Sequence, residues 1–104
     1  MANPWTGEVT LVIDGEARVM KLTLGALAEL EAELVEDSLV SLIERLESGR
    51  VAARDVFALI VAGLRGGGWR GTAADLLSSD IEGGPVAATQ AAGLLIQRAF
   101  ALDE

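Results

Sequence analysis

The chain has no cysteine, no histidine and no tyrosine, and only two each of proline, tryptophan and phenylalanine among its 104 residues. Without cysteine there is no disulfide and no thiol nucleophile. With histidine also missing, Cys/His zinc sites, haem ligation by histidine and every histidine-based catalytic triad are excluded. Ser38, Ser41, Ser48, Ser78 and Ser79 therefore have no imidazole to activate them. Basic charge is scarce too: eight Lys and Arg stand against sixteen Asp and Glu, a net charge of −8. Neutralising phosphates takes clustered Lys and Arg, so no nucleic-acid partner is expected, and an anionic membrane surface would repel such a chain. No apolar run is long enough to span a bilayer. The opening Met-Ala-Asn-Pro-Trp lacks the basic start and apolar core of a signal peptide. A cytoplasmic location fits the missing cysteines.

What is present is a globular composition, 51% hydrophobic and 23% charged, at the length of a single domain spanning residues 1–104. Val9, Leu11 and Ile13 alternate with polar positions, and Met20 and Leu22 resume the alternation after Asp14-Gly15-Glu16. This predicts a β-hairpin over 8–22. Glycine as the first turn residue suggests a type II′ turn, with Leu11 opposite Met20 and Val9 opposite Leu22. Residues 23–102 read as helical. Thr23 caps a helix over about 24–35. Asp37 or Ser38 caps a second, striped by Leu39, Leu42, Ile43 and Leu46 and ended by Gly49. A third runs from about Ala53 to Arg65 with Val56, Leu59, Ile60 and Leu64 on one side, and Phe57 and Val61 as a second apolar edge. Gly66, Gly67, Gly68 and Gly71 read as a flexible break around Trp69. Thr72 caps a short helix to Leu77, and Pro85 opens the last one. The expected fold is α+β and mostly α: a hairpin packed on a bundle of four or five helices.

No set of residues converges on a reaction, so no enzyme activity, metal or cofactor is expected. Gly66 to Gly71 matches G-x-G-x-x-G in letters only, because a helix rather than a strand precedes it. Glu29, Glu31, Glu33, Glu36 and Asp37 read as a solvated helix face. Arg50, Arg54, Arg65 and Arg70 form a basic strip that either pairs with that acidic cluster or meets an acidic partner or a second copy. Trp69 either packs locally or anchors a partner. The last helix is apolar nearly all round, through Leu94, Leu95, Ile96 and Phe100. It is either the central helix of the bundle or a docking face. The candidate partner surface is therefore the meeting of that helix with the glycine-rich loop: Trp69, Ile96 and Phe100 as apolar anchors, Arg65 and Arg70 to orient a polar or acidic edge.

Three strings carry a further signal: LTLGALAELEAEL over 22–34, AARDVFALIVAGLRGGG over 52–68 and GGPVAATQAAGLLIQRAFAL over 83–102. With the hairpin, they resemble the small tail-assembly chaperone family of gene transfer agents and related long-tailed phages of alphaproteobacteria, over nearly the whole chain. The resemblance implies a non-enzymatic protein that binds the tape-measure protein, assists tail-tube subunits in assembling around it, and is absent from the finished particle. Self-association is also compatible with it. The alternative is a permanent structural component of the tail, a connector or minor tail subunit.

Overall fold

The computed structural model describes residues 7–33, 38–50 and 52–100. Two strands, β1 (Val9–Ile13) and β2 (Glu16–Met20), are followed by five helices: α1 (Leu24–Glu33), α2 (Leu39–Ser48), α3 (Ala53–Gly66), α4 (Ala73–Leu77) and α5 (Gly84–Phe100). The expected α+β, mostly helical architecture is the one observed. Residues 34–37, with the expected end of the first helix, Glu36 and the cap candidate Asp37, and residues 101–102 of the expected helical part lie outside the described residues.

The hairpin forms in a different register from the one expected. Val9 pairs with Met20, Leu11 with Arg18 and Ile13 with Glu16, so Asp14 and Gly15 alone make the turn. Both have positive φ, 52° and 81°. That is the backbone of a type I′ turn, which Asp-Gly favours, rather than the type II′ turn expected. The shift is by two residues, so it leaves Val9, Leu11, Ile13 and Met20 buried on the same face. It moves Glu16 and Arg18 to the protruding tip, where they form an exposed ion pair at 2.8 Å.

The helices begin and end where their caps say. Thr23 Oγ1 accepts the Ala26 N–H at 3.0 Å and Ser38 Oγ accepts the Ser41 N–H at 3.2 Å. Gly49 closes α2 in the left-handed region. At the start of α4, Thr72 Oγ1 accepts the Asp75 N–H and Asp75 accepts the Thr72 N–H, a reciprocal capping box. The start of α3 is anchored by Asp55, which is 2% exposed. It accepts the Ala52 N–H at 3.0 Å and a bidentate pair of bonds from the Arg45 guanidinium at 3.0 and 3.1 Å. This contact ties α2 to α3.

The glycines after α3 do not make a flexible break. The helix continues through Gly66, and its last turn lies directly on the β2 backbone. A Cβ on Gly66 would overlap the Lys21 carbonyl oxygen, and one on Gly67 the Val19 carbonyl oxygen. One turn earlier, a Cβ on Gly63 would sit 2.7 Å from Leu95 and 3.2 Å from Met20. The Gly63 carbonyl accepts both its helical partner Gly67 and the strand N–H of Lys21, at 3.0 and 2.9 Å. Around this junction lie the fully buried Met20, Leu30, Leu42, Leu59, Ile60, Leu64 and Leu95. On the other side of the hairpin, residues 80–82 act as a short third strand. Ile13 bridges Ile81, Asp14 donates to Asp80 O at 2.8 Å, and Glu82 donates to Val12 O at 3.0 Å.

Leu42→Ala and Leu59→Ala each remove a wholly buried side chain and should each cost roughly 2–5 kcal/mol, read as a lowered urea midpoint. Gly66→Ala should cost about 1–3 kcal/mol although it adds only a methyl group, because the strand backbone must move away. An unchanged midpoint for Gly66→Ala would refute the backbone contact.

Asp55 generates a pH prediction. Burial pushes its carboxyl up. The Arg45 hydrogen bonds, the Ala52 N–H and the charges of Arg45 and Arg54 outweigh that and hold it below its ordinary value of 3.8. The unfolded chain thus takes up this proton first as pH falls. The stabilisation is complete above about pH 4 and is lost as pH drops through the lowered native value. Asp55→Ala should cost roughly 1.5–3 kcal/mol at pH 7 and weaken the acid dependence of the urea midpoint between neutral pH and pH 3.

Candidate functional site

The residues expected to form one partner surface do not come together. Ile96 is 4% exposed and packs in the core with Ala88, Ala91, Ala92 and Leu95. Ile96 belongs to the one buried stripe of α5, which packs on α3 and β1, while Val86, Leu94 and Phe100 lie exposed; the central helix is α3. Phe100, at the end of α5, is 38% exposed. Trp69 is half-buried against the core; its backbone N–H is held by Leu64 O at 2.9 Å. Gly71 folds back so closely over the indole that a Cβ there would overlap the ring. The tryptophan is fixed in place rather than adaptable. The cleft it lines with Arg65, about 280 Å³, is completed by Thr23, Gly25, Ala26 and Glu29, with no residue of α5. Arg65 and Arg70 are exposed.

Among the described residues the basic strip does not pair with Glu29 or Glu31 of the acidic face. Among the described residues Arg54, Arg65 and Arg70 form no ion pair, and Arg50 donates to Ser48 Oγ at 3.1 Å. Glu31 accepts the Leu39 N–H at 3.4 Å. No group of three or more Asp and Glu among the described residues is placed to hold a metal, and no described helix is long and apolar enough to cross a membrane.

A different apolar surface stands out. Between α3, α4 and α5 lies a cleft of about 200 Å³ whose walls are Val56, Phe57, Ile60, Leu76, Ile81, Pro85 and Ala88, with Thr89 at its rim. Leu77 on α4 is 75% exposed and Val86 on α5 is 67% exposed. The second apolar edge of α3 was the sequence signal for its floor. Ile81, isolated among turn residues, gave no such signal. Nothing about this cleft suits bond-making chemistry, since no titratable group lines it. Its apolar walls suit burial against another surface.

Compared with known families, residues 6–102 match the family described as phage tail tube protein, GTA-gp10. The chain belongs to this family. No curated protein and no solved structure matches it. The gene transfer agent and phage tail context expected from the three strings is therefore correct. The chaperone role is not. The family is described as a tube protein, a structural part of the tail rather than a helper of its assembly. The expected absence from the finished particle falls with it, because a tube subunit is part of the particle. The strings that prompted the chaperone reading are buried stripes and the glycine junction. Such residues report a shared fold and are silent on whether its bearer stays in the tail. A tail tube family is also not a class of enzymes.

Because Ile96 is core, Ile96→Asp should abolish cooperative thermal unfolding followed by circular dichroism, since it buries a carboxylate with no partner. Trp69→Ala should keep the helical spectrum and lower the melting temperature only in part. A folded Ile96→Asp would refute the burial of the α5 stripe.

Proposed function

We propose that this protein is a permanent structural subunit of the tail of a phage or gene transfer agent particle, acting by binding rather than by chemistry. The single observation that carries this reading is the family match over residues 6–102. The structure supports it on physical grounds. Leu77, Val86 and the cleft between α3, α4 and α5 leave apolar surface uncovered, as expected of a subunit whose neighbours are other proteins. The tape-measure protein remains a partner under this reading, as a neighbour inside the finished tail instead of a client released before completion. Other copies of the chain and other tail proteins are the further neighbours. Nucleic acid and membrane are not assigned as partners, given the net charge of −8.

The test is the composition of purified particles. Quantitative mass spectrometry should find the chain at a fixed ratio to the other tail proteins, and deleting its gene should leave particles without complete tails. Particles that have normal tails and lack the protein would overturn the proposal.

A further inference from the structure

We propose that the outer edge of β2 pairs with the same edge of a second copy of the chain, joining two hairpins into one four-stranded antiparallel sheet and a closed two-fold dimer. This concerns the free chain and does not rest on the tail reading.

The argument starts from where the strand hydrogen bonds go. The two-residue turn makes Ile13 and Glu16 a hydrogen-bonded pair, so Glu16, Arg18 and Met20 spend their backbone groups on β1. Ala17, Val19 and Lys21 turn theirs outward. Lys21 N–H is taken by Gly63 O, and Gly67 lies over the Val19 carbonyl. Both backbone groups of Ala17 and the N–H of Val19 have no partner among the described residues. The outer edge of β1 is different. Residues 80–82 cover it at Val12 and Asp14, and the Arg98 guanidinium donates to Glu8 O at 2.7 Å. On the β1 edge only Thr10 stays uncovered, hemmed in between those two covers, whereas the β2 edge is open from Ala17 to the Val19 N–H and can add a strand.

Charge selects the occupant and the register. Only residues whose backbone groups face outward can form the hydrogen-bonded pairs, and three antiparallel registers that satisfy this place Glu16 or Arg18 opposite one another. Sliding one way sets Glu16 opposite the partner's Glu16. Sliding the other way sets Arg18 opposite the partner's Arg18 and drives the strand into Gly67. The middle register sets Ala17 opposite the partner's Ala17, and Glu16 opposite the partner's Arg18 on both sides of the two-fold axis. In it, the Glu–Arg positions are the non-hydrogen-bonded ones, where facing Cα atoms approach to about 4.5 Å and side chains meet best. The residue brought against Gly67 is the partner's Gly15, which has no side chain to clash. Glu16 and Arg18 are already 2.8 Å apart within one chain, with side chains 68% and 45% exposed, so exchanging partners costs little rearrangement. With the β1 edge covered, pairing stops at two copies and does not run on into a fibre. So short a seam belongs to the small, transient class of interface, below about 1,200 Å². The dimer should therefore build up with concentration.

Sedimentation equilibrium of the purified chain, with circular dichroism to confirm folding, is the experiment. The parent should shift from monomer toward dimer as concentration rises. Glu16→Arg and Arg18→Glu should each stay monomeric, because each sets like charges opposite one another. An equimolar mixture of the two should again form dimers, since each then meets its opposite charge; an effect within one chain has no such rescue. A parent that stays monomeric at every concentration, or a mixture of folded variants that does so, overturns the proposal. Should a reversed variant unfold, Ala17→Cys decides: facing Cα atoms about 5.5 Å apart lie within disulfide reach. It should cross-link faster under mild oxidation than Ala28→Cys, an exposed control on α1. Equal rates overturn the proposal.

Discussion

The backbone of α3 rests on the backbone of β2 because residues 63, 66 and 67 carry no side chains, and much of the molecule is arranged around that contact. Any larger residue at Gly66 or Gly67 would displace the strand carbonyls of Lys21 and Val19. Gly63 lets Leu95 of α5 and Met20 of β2 close over the same point of the helix, and its carbonyl joins helix to strand through Lys21 N–H. A two-stranded hairpin is marginal alone. Here its apolar face is sealed by α3 and α5 and its β1 edge by residues 80–82, so the hairpin is ordered by what packs on it rather than by its own ladder.

Periodicity and capping chemistry made most of the elements legible. The stripes through Leu42 and through Val56, Leu59, Ile60 and Leu64 are core, and Thr23, Ser38, Gly49 and Thr72 lie at helix ends. The misreadings share a cause: one residue type serves two physical purposes. Glycine marks a flexible turn and also the place where two backbones touch, and the letters of the 66–68 run do not distinguish these. Asp-Gly and Gly-Glu compete for the hairpin turn, and the tendency of Asp to accept positive φ decided it. The strand pairing of Ile81 had no alternation around it, because a bridge needs one residue, not a pattern.

The candidate site was less legible than the fold. An all-round apolar helix is what a central helix looks like in sequence, and also what a helix with a docking face looks like. Ile96 falls on the buried side of that ambiguity and Val86 on the exposed side. Trp69 between glycines suggested freedom, yet those glycines let the chain wrap tightly around the indole. The family strings suffered the same limit at the level of function. Their apolar periodicity follows the buried stripes of α1, α3 and α5, and such stripes report a fold whether its bearer assists a tail or stays in it.

Among the described residues, the apolar cleft and the β2 edge both lack intramolecular cover, and their separation matters for assembly. The apolar cleft lies against the first turns of α3, through Ala53, Val56, Phe57 and Ile60. The open β2 edge begins at its last turn, where Gly67 covers the Val19 carbonyl. From Ile60, the cleft residue of α3 nearest the edge, to Gly67 is about 10 Å of helical rise. The two also differ in chemistry: the cleft offers apolar burial, which is indifferent to direction, whereas the strand edge offers hydrogen bonds and an alternating charge pair that admit one register. A subunit with one closed, register-specific contact and one separate apolar contact can hold a self-partner and still meet a different protein through α3, α4 and α5.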